Sequence, residues 1–167
     1  MKRDVSRSIA PGTPVADAGA LNSALRILAR RDHTCRELQA KLRRRGFTAT
    51  AVEHAMARCR QLGYLDDART AAILAGRLSE KGYGPWRIRQ TLVQKGLDDD
   101  LIENALRHYD DEDSQVRRAR QWLEKKRPRL LRQSDPCKRR QTACRMLAGR
   151  GFCAGVIRRA VDDDQGG

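Results

Sequence analysis

Three short carboxylate runs stand out in this 167-residue chain: Asp98 to Asp100, residues 110 to 113, and Asp162 to Asp164. Clustered carboxylates can hold a divalent cation for phosphodiester chemistry. Their placing argues for a different role. The first run opens a predicted helix, where negative charge offsets the helix dipole; the second joins two predicted units, and the third lies at the C-terminal end. His33, His54 and His108 are scattered, and Cys35, Cys59, Cys137, Cys144 and Cys153 contain no C-x-x-C pair, so neither a zinc site nor a disulfide framework is expected. The phosphate loop G-x-x-x-x-G-K-[ST], H-E-x-x-H and G-x-S-x-G are all absent. The expectation is a protein without catalysis, metal or cofactor.

The chemistry that remains is recognition by cations. Lys and Arg number 35 against 21 Asp and Glu, for a net charge of +14 and an isoelectric point near 10.5. A polyanion is the usual partner of such a balance, and nucleic acid leads. A membrane surface comes second, but no apolar run of about 18 residues exists to cross one. The N-terminus has no apolar signal-peptide core, so it reads as a flexible tail on a protein expected to stay in the cytoplasm. Aromatic residues make up only 4% of the chain, too few for a base-stacking platform, so contacts to phosphates without sequence preference are expected.

The candidate binding residues are Arg36, Arg43 and Arg44 near the start; Arg87, Arg89 and Lys95 in the middle; and Arg139, Arg140, Arg145, Arg158 and Arg159 near the end. Arg117, Arg118, Lys125, Lys126 and Arg127 precede the last group. Pro128 interrupts helix propensity there and makes a basic loop plausible. Net charge is +5 over residues 24–67, −2 over 68–113 and +10 over 114–167. Basic ends around a neutral middle suit a surface that meets a protein and a nucleic acid together.

The elements that position these residues follow from an internal repeat. Aligning Gly46, Gly96 and Gly151 places Arg45, Lys95 and Arg150 before them and Phe47, Leu97 and Phe152 after them. Leu42, Leu92 and Leu147 fall four residues upstream, and Leu38, Ile88 and Ala143 eight upstream. Val52, Ile102 and Ile157 fall six downstream, and Ala55, Ala105 and Ala160 nine downstream.

Each repeat reads as three helices. The first carries apolar residues at i, i+4 and i+7, as in Leu21, Leu25 and Leu28. The second starts at Thr34, which forms a capping box with Glu37, at Gly84-Pro85 and at Asp135-Pro136, and it ends at the repeat glycine in a left-handed cap. The third carries the stripe Val52, Met56 and Cys59, or Ile102, Leu106 and Tyr109. Asp66 or Asp67, and later the 110–115 segment, start the next repeat. At about 100° per residue, Arg36, Arg43 and Arg44 face away from Leu38 and Leu42. Phe47 and Phe152 read as core; Trp86 reads as a candidate exposed anchor for a partner.

The predicted architecture is all-α, an elongated tandem array of three three-helix repeats. A flexible tail is expected over 1–19, repeats over 20–65, 66–112 and 113–162, and a flexible end over 163–167. A monomer is expected.

The stretches "LGYLDDAR", "KGYGPWRIRQTLVQKGL" and "RGFCAGVIRRAV" resemble the RecX family, bacterial regulators of the RecA recombinase, over roughly residues 20 to 162. The most specific part is carried by Gly82, Tyr83, Gly84, Pro85, Arg87, Ile88, Leu92, Lys95 and Gly96. Thr70 stands where the family often has an aromatic, and the basic segment "EKKRPRLLRQSDPCKRR" is long. The resemblance implies tandem three-helix repeats that bind the RecA filament and restrain its assembly and strand exchange without catalysis. The competing reading is a helix-turn-helix regulator that reads a DNA sequence; three unequal tandem copies count against it.

Overall fold

The structure, a computed structural model, describes residues 14–109 and 111–162. The outer parts of the two expected tails, 1–13 and 163–167, lie outside the described residues, as do Asp110, Asp163 and Asp164. The helices are α1 (Pro14–Leu28), α2 (Cys35–Arg44), α3 (Ala49–Gln61), α4 (Asp67–Glu80), α5 (Pro85–Gln94), α6 (Asp99–Leu106), α7 (Glu112–Glu124), α8 (Arg127–Leu130), α9 (Pro136–Gly149) and α10 (Ala154–Asp162). A 3₁₀ turn, Arg107–Tyr109, extends α6. Thus α1 takes in residues 14–19, read from sequence as tail.

The start and stop chemistry follows the sequence. The Thr34 hydroxyl accepts from the Glu37 N–H while the Glu37 carboxylate accepts from the Thr34 N–H, closing the capping box. Pro85 and Pro136 occupy first-turn positions of α5 and α9, and Asp135 accepts from the Cys137 and Lys138 N–H groups. Gly46, Gly96 and Gly151 adopt φ of 83°, 76° and 85°, in the left-handed region that ends each second helix at little steric cost. The two aspartates before α4 divide their work. Asp66 caps the helix through the Arg69 N–H at 2.9 Å, and Asp67 accepts from the Cys35 N–H at 2.8 Å, tying the start of α2 to the start of α4.

The chain divides into two compact units, Met1–Thr70 and Ala71–Gly167, with α4 beginning in the first and continuing into the second. In the first unit α1, α2 and α3 enclose Leu38, Leu42, Val52 and Cys59, all fully buried. The deepest residues of α1 are Ala20, Ala24 and Ile27, and the expected stripe Leu21, Leu25 and Leu28 flanks them, partly buried. Alanines at the centre let α1 approach α3, which presents Ala51 and Ala55, while the leucines close the sides.

The second unit repeats this design twice. Ala71 and Ala75 of α4 pack with Ile88, Leu92 and Ile102; Val116 and Ala119 of α7 pack with Leu147 and Val156. In the last repeat the fully buried position is Val156, and Ile157, aligned with Val52 and Ile102, sits at the edge of the core. The wide stripe of each third helix spans both columns, and α10 turns its inner face toward the earlier one. The basic loop expected around Pro128 is instead one helical turn, α8. Pro128 is tolerated in its first turn, and Leu130 buries against the third core.

Candidate functional site

Capping box and left-handed glycine hold α2 between Thr34 and Gly46. With Leu38 and Leu42 buried on its inner face, Arg36, Arg43 and Arg44 are exposed. The side chains of the three make no hydrogen bond or ion pair among the described residues. The same outward stripe changes character along the repeats. The positions ten and three residues before the repeat glycine are Arg36 and Arg43 in the first repeat, Trp86 and Val93 in the second, and Gln141 and Ala148 in the third. Trp86 is 58% exposed and Val93 49%. A cationic face thus becomes an apolar one at equivalent places.

The other candidate cations divide into two classes. The exposed Arg87 side chain reaches only Gln90, at 3.5 Å, while the exposed Arg145 and Arg158 side chains make no hydrogen bond or ion pair among the described residues. Lys95 is half-buried at the C-cap of α5. The remaining four are engaged. Arg89 pairs with Asp99 at 3.6 Å and Glu103 at 3.5 Å. Arg139 donates to the Gln133 and Ser134 carbonyls and closes the loop before α9. Arg140 pairs with Asp162. Arg159 reaches Asp113 at 2.6 Å and Glu112 at 3.3 Å, bonds that raise its already high pKa, Asp113 contributing most.

These pairs and caps engage part of the carboxylate runs among the described residues. Asp98 holds the N-cap of α6, Asp111 caps α7 through the Ser114 N–H at 2.8 Å, and Asp99, Glu112, Asp113 and Asp162 face arginines. Among the described residues no group of histidine, cysteine, aspartate and glutamate could hold a metal ion.

Sequence reasoning did not find the joint between the second and third repeats, which lies inside the second unit. The Gly84 N–H donates to the Arg150 carbonyl at 2.8 Å, and the Trp86 N–H to the Gly151 carbonyl at 3.3 Å. A Cβ on Gly84 would strike the Gly151 backbone, and one on Gly82 would lie 2.6 Å from the Trp122 ring. The Arg150 guanidinium lies 4.4 Å from the centroids of both Tyr83 and Trp122 and donates to the Lys81 carbonyl at 2.9 Å. The G-Y-G-P stretch is therefore a docking surface for the next repeat. It also fixes the start of α5, from which Trp86 and Arg87 project.

Comparison with known families matches three consecutive models along the chain: the RecX first three-helix domain at residues 20–59, the second at 66–106 and the third at 112–161. This chain belongs to the RecX family. It is 39% identical to the regulatory protein RecX of Legionella pneumophila (strain Corby) over 139 residues, covering 83% of this chain and 89% of that one. It is 35% identical to that of Halorhodospira halophila over 167 residues, covering 91% and 98%. The crystal structure of RecX from Lactobacillus salivarius superposes with a TM-score of 0.79 at 22% identity, over 90% of this chain and 97% of that one. A second crystal structure, of a regulatory protein RecX, gives 0.77 at 26% identity, over 88% and 72%. The all-α architecture of tandem three-helix domains is thus that of RecX, a family of regulatory proteins. Among the described residues no helix is long and apolar enough to cross a membrane.

Proposed function

We propose that this RecX-family chain is a non-catalytic regulator that binds the RecA recombinase filament on DNA and restrains its assembly, ATP hydrolysis and strand exchange during recombinational repair and the SOS response. The observation that carries the reading is the change along the outward stripe of the second helices, from Arg36 and Arg43 to the exposed Trp86 and Val93. A filament on DNA offers a phosphate backbone and a protein surface side by side. A cationic face suits the first, and an exposed tryptophan flanked by arginine suits the second. Within the second unit, Arg87, Lys95, Arg145 and Arg158 supply further cations. Arg89, Arg139, Arg140 and Arg159 contribute by holding helix ends and loops in place. DNA binding is weak and independent of sequence, and the chain acts as a monomer.

Co-sedimentation with preformed RecA filaments, with free single-stranded DNA as the control, tests the reading. Recovery with filaments well beyond recovery with DNA alone is expected. Equal recovery in the two arms contradicts filament binding, and a protected footprint on one defined DNA sequence would favour a sequence-reading regulator.

A further inference from the structure

Five cations that the candidate set does not include converge on one cavity of about 390 Å³ in the first unit: Arg26 from α1, Arg30 and Arg31 from the following turn, and Lys41 and Arg45 from the end of α2. His33 lines the same cavity, and Ile27 forms its apolar part. We infer that this cavity is a phosphate-binding site. The inference does not depend on the recombinase reading, because it concerns only the chain and its anionic ligand.

The charge balance carries the argument. Two carboxylates belong to the adjoining segment, Asp32 between Arg31 and His33, and Glu37, which is already engaged by Arg31 at 3.3 Å and by the capping box at Thr34. Two negative charges leave the five cations in excess. Arg26 and Arg30 make no hydrogen bond or ion pair through their side chains among the described residues, and Arg45 is held by the Ser23 hydroxyl. The C-terminal ends of α1 and α2 supply only about half a negative charge each. That offsets a small part of five converging cations. His33 is 2% exposed; its Nδ1 lies 2.9 Å from the Arg31 carbonyl and its Nε2 2.7 Å from the Lys41 ammonium. The carbonyl fixes the proton on Nδ1, so Nε2 accepts from Lys41 and the ring orients that ammonium. Burial first, and the Arg31 and Lys41 charges as well, push the His33 pKa below its ordinary value, opposed by the Arg31 carbonyl bond and Glu37. The imidazole is therefore neutral and serves as an acceptor.

A tetrahedral oxyanion matches a site with several guanidinium forks and one ammonium, because each oxygen accepts more than one N–H and forks bind it in two-point fashion. The cations also continue around α2. Arg44 lies about 60° from Lys41 and about 100° from Arg43 on the helix. The cavity is thus linked to the exposed arginine face, the arrangement a strand with successive phosphates would use.

The test uses the full chain without any recombinase. His33 ring resonances are followed by NMR while inorganic phosphate is added in one arm and oligo(dT) in the other. Binding of labelled oligo(dT) to wild type, Lys41→Met and Arg30→Gln is then measured across salt concentrations, with circular dichroism of each. Arg30 is exposed, so Arg30→Gln keeps the test valid even where Lys41→Met disturbs the His33 contact. Expected are a shift of the His33 signals by at least one ligand, roughly tenfold weaker oligo(dT) binding by each variant, and a salt slope shallower by about 0.7 for each lost phosphate contact. A response to oligo(dT) at far lower concentration than to inorganic phosphate assigns the site to a nucleic-acid strand; the reverse order assigns it to free phosphate. The inference is overturned by unshifted His33 signals in both arms. It is likewise overturned where the signals answer to oligo(dT) but Arg30→Gln matches wild type in oligo(dT) affinity and salt slope, or where they answer to inorganic phosphate and Arg30→Gln matches wild type in the phosphate concentration required.

Discussion

At the scale of single residues, glycines do two distinct jobs, and substitution separates them. Gly46 has φ of 83° and open space around it, so Gly46→Ala meets only the left-handed backbone penalty of about 1–2 kcal/mol. Gly84 has ordinary φ of −81° but no room for a Cβ against Gly151, so Gly84→Ala must part the second and third repeats. Thermal melting should show the larger loss for Gly84→Ala, with a changed Trp122 environment in fluorescence; an equal, small loss in both variants would contradict the joint. His33 makes a second prediction. Its folded pKa lies below the ordinary 6.5, so the unfolded chain binds the proton first as pH falls. Stability conferred by neutral His33 is complete above about pH 6.5 and declines as pH drops toward the folded pKa. Melting temperature measured from pH 7.5 to 5 should fall more steeply for wild type than for His33→Gln. The glycine caps were legible in the sequence because a recurring glycine after a leucine-spaced run has a local cause. The Gly84 contact was not, since it depends on a carbonyl 67 positions away.

At the scale of elements, the repeat alignment identifies Leu42, Leu92 and Leu147 as one column, and all three are fully buried. Truncation of each to alanine should cost about 2–5 kcal/mol, measured by denaturant unfolding. In the last repeat Val156→Ala should cost more than Ile157→Ala, although sequence aligns Ile157 with the core column. Equal costs would mean that α10 is rotated from its observed setting. Helix identity, capping and the second-helix faces could be read from local spacing. Two features could not. The centring of the first helices on alanine depends on packing across the core, seen most clearly in the close approach of α1 to α3 and of α7 to α10, and hydrophobicity alone favours the flanking leucines. The α8 turn depends on Leu130 finding a place in the third core, which outweighs the local signal of Pro128. The candidate cations show the same division. Exposure of Arg36, Arg43 and Arg44 followed from helical spacing, whereas engagement of Arg89, Arg140 and Arg159 required knowing which carboxylates face them. The cations around His33 come from three separate segments, and no single helix displays them as a pattern.

At the scale of the whole molecule, the charge of +14 gives the proposed regulator a general attraction for polyanions, concentrated in residues 24–67 and 114–167. Its affinity for free DNA should be weak, indifferent to sequence and steeply reduced by salt, as filter binding or anisotropy at several ionic strengths would report. Specificity for a filament must then come from places where charge and apolar surface occur on equivalent faces, as on α2 and α5. Arg36, Arg43 and Arg44 are exposed and make no ion pair within the described structure, so reversing all three to glutamate should leave folding within about 0.5 kcal/mol per site. The same reversal replaces attraction by repulsion at a phosphate-rich or acidic surface, which slows encounter and weakens the complex. The direct measurement is DNA-dependent ATP hydrolysis by RecA, titrated with wild type and with the Arg36→Glu, Arg43→Glu, Arg44→Glu triple variant, alongside circular dichroism of both. The predicted result is inhibition by wild type and a dose at least tenfold higher for the equally helical variant. Hydrolysis unchanged by wild type at saturating concentration would contradict the proposed regulation, and equal inhibition by the two proteins would contradict the placing of the contact on α2.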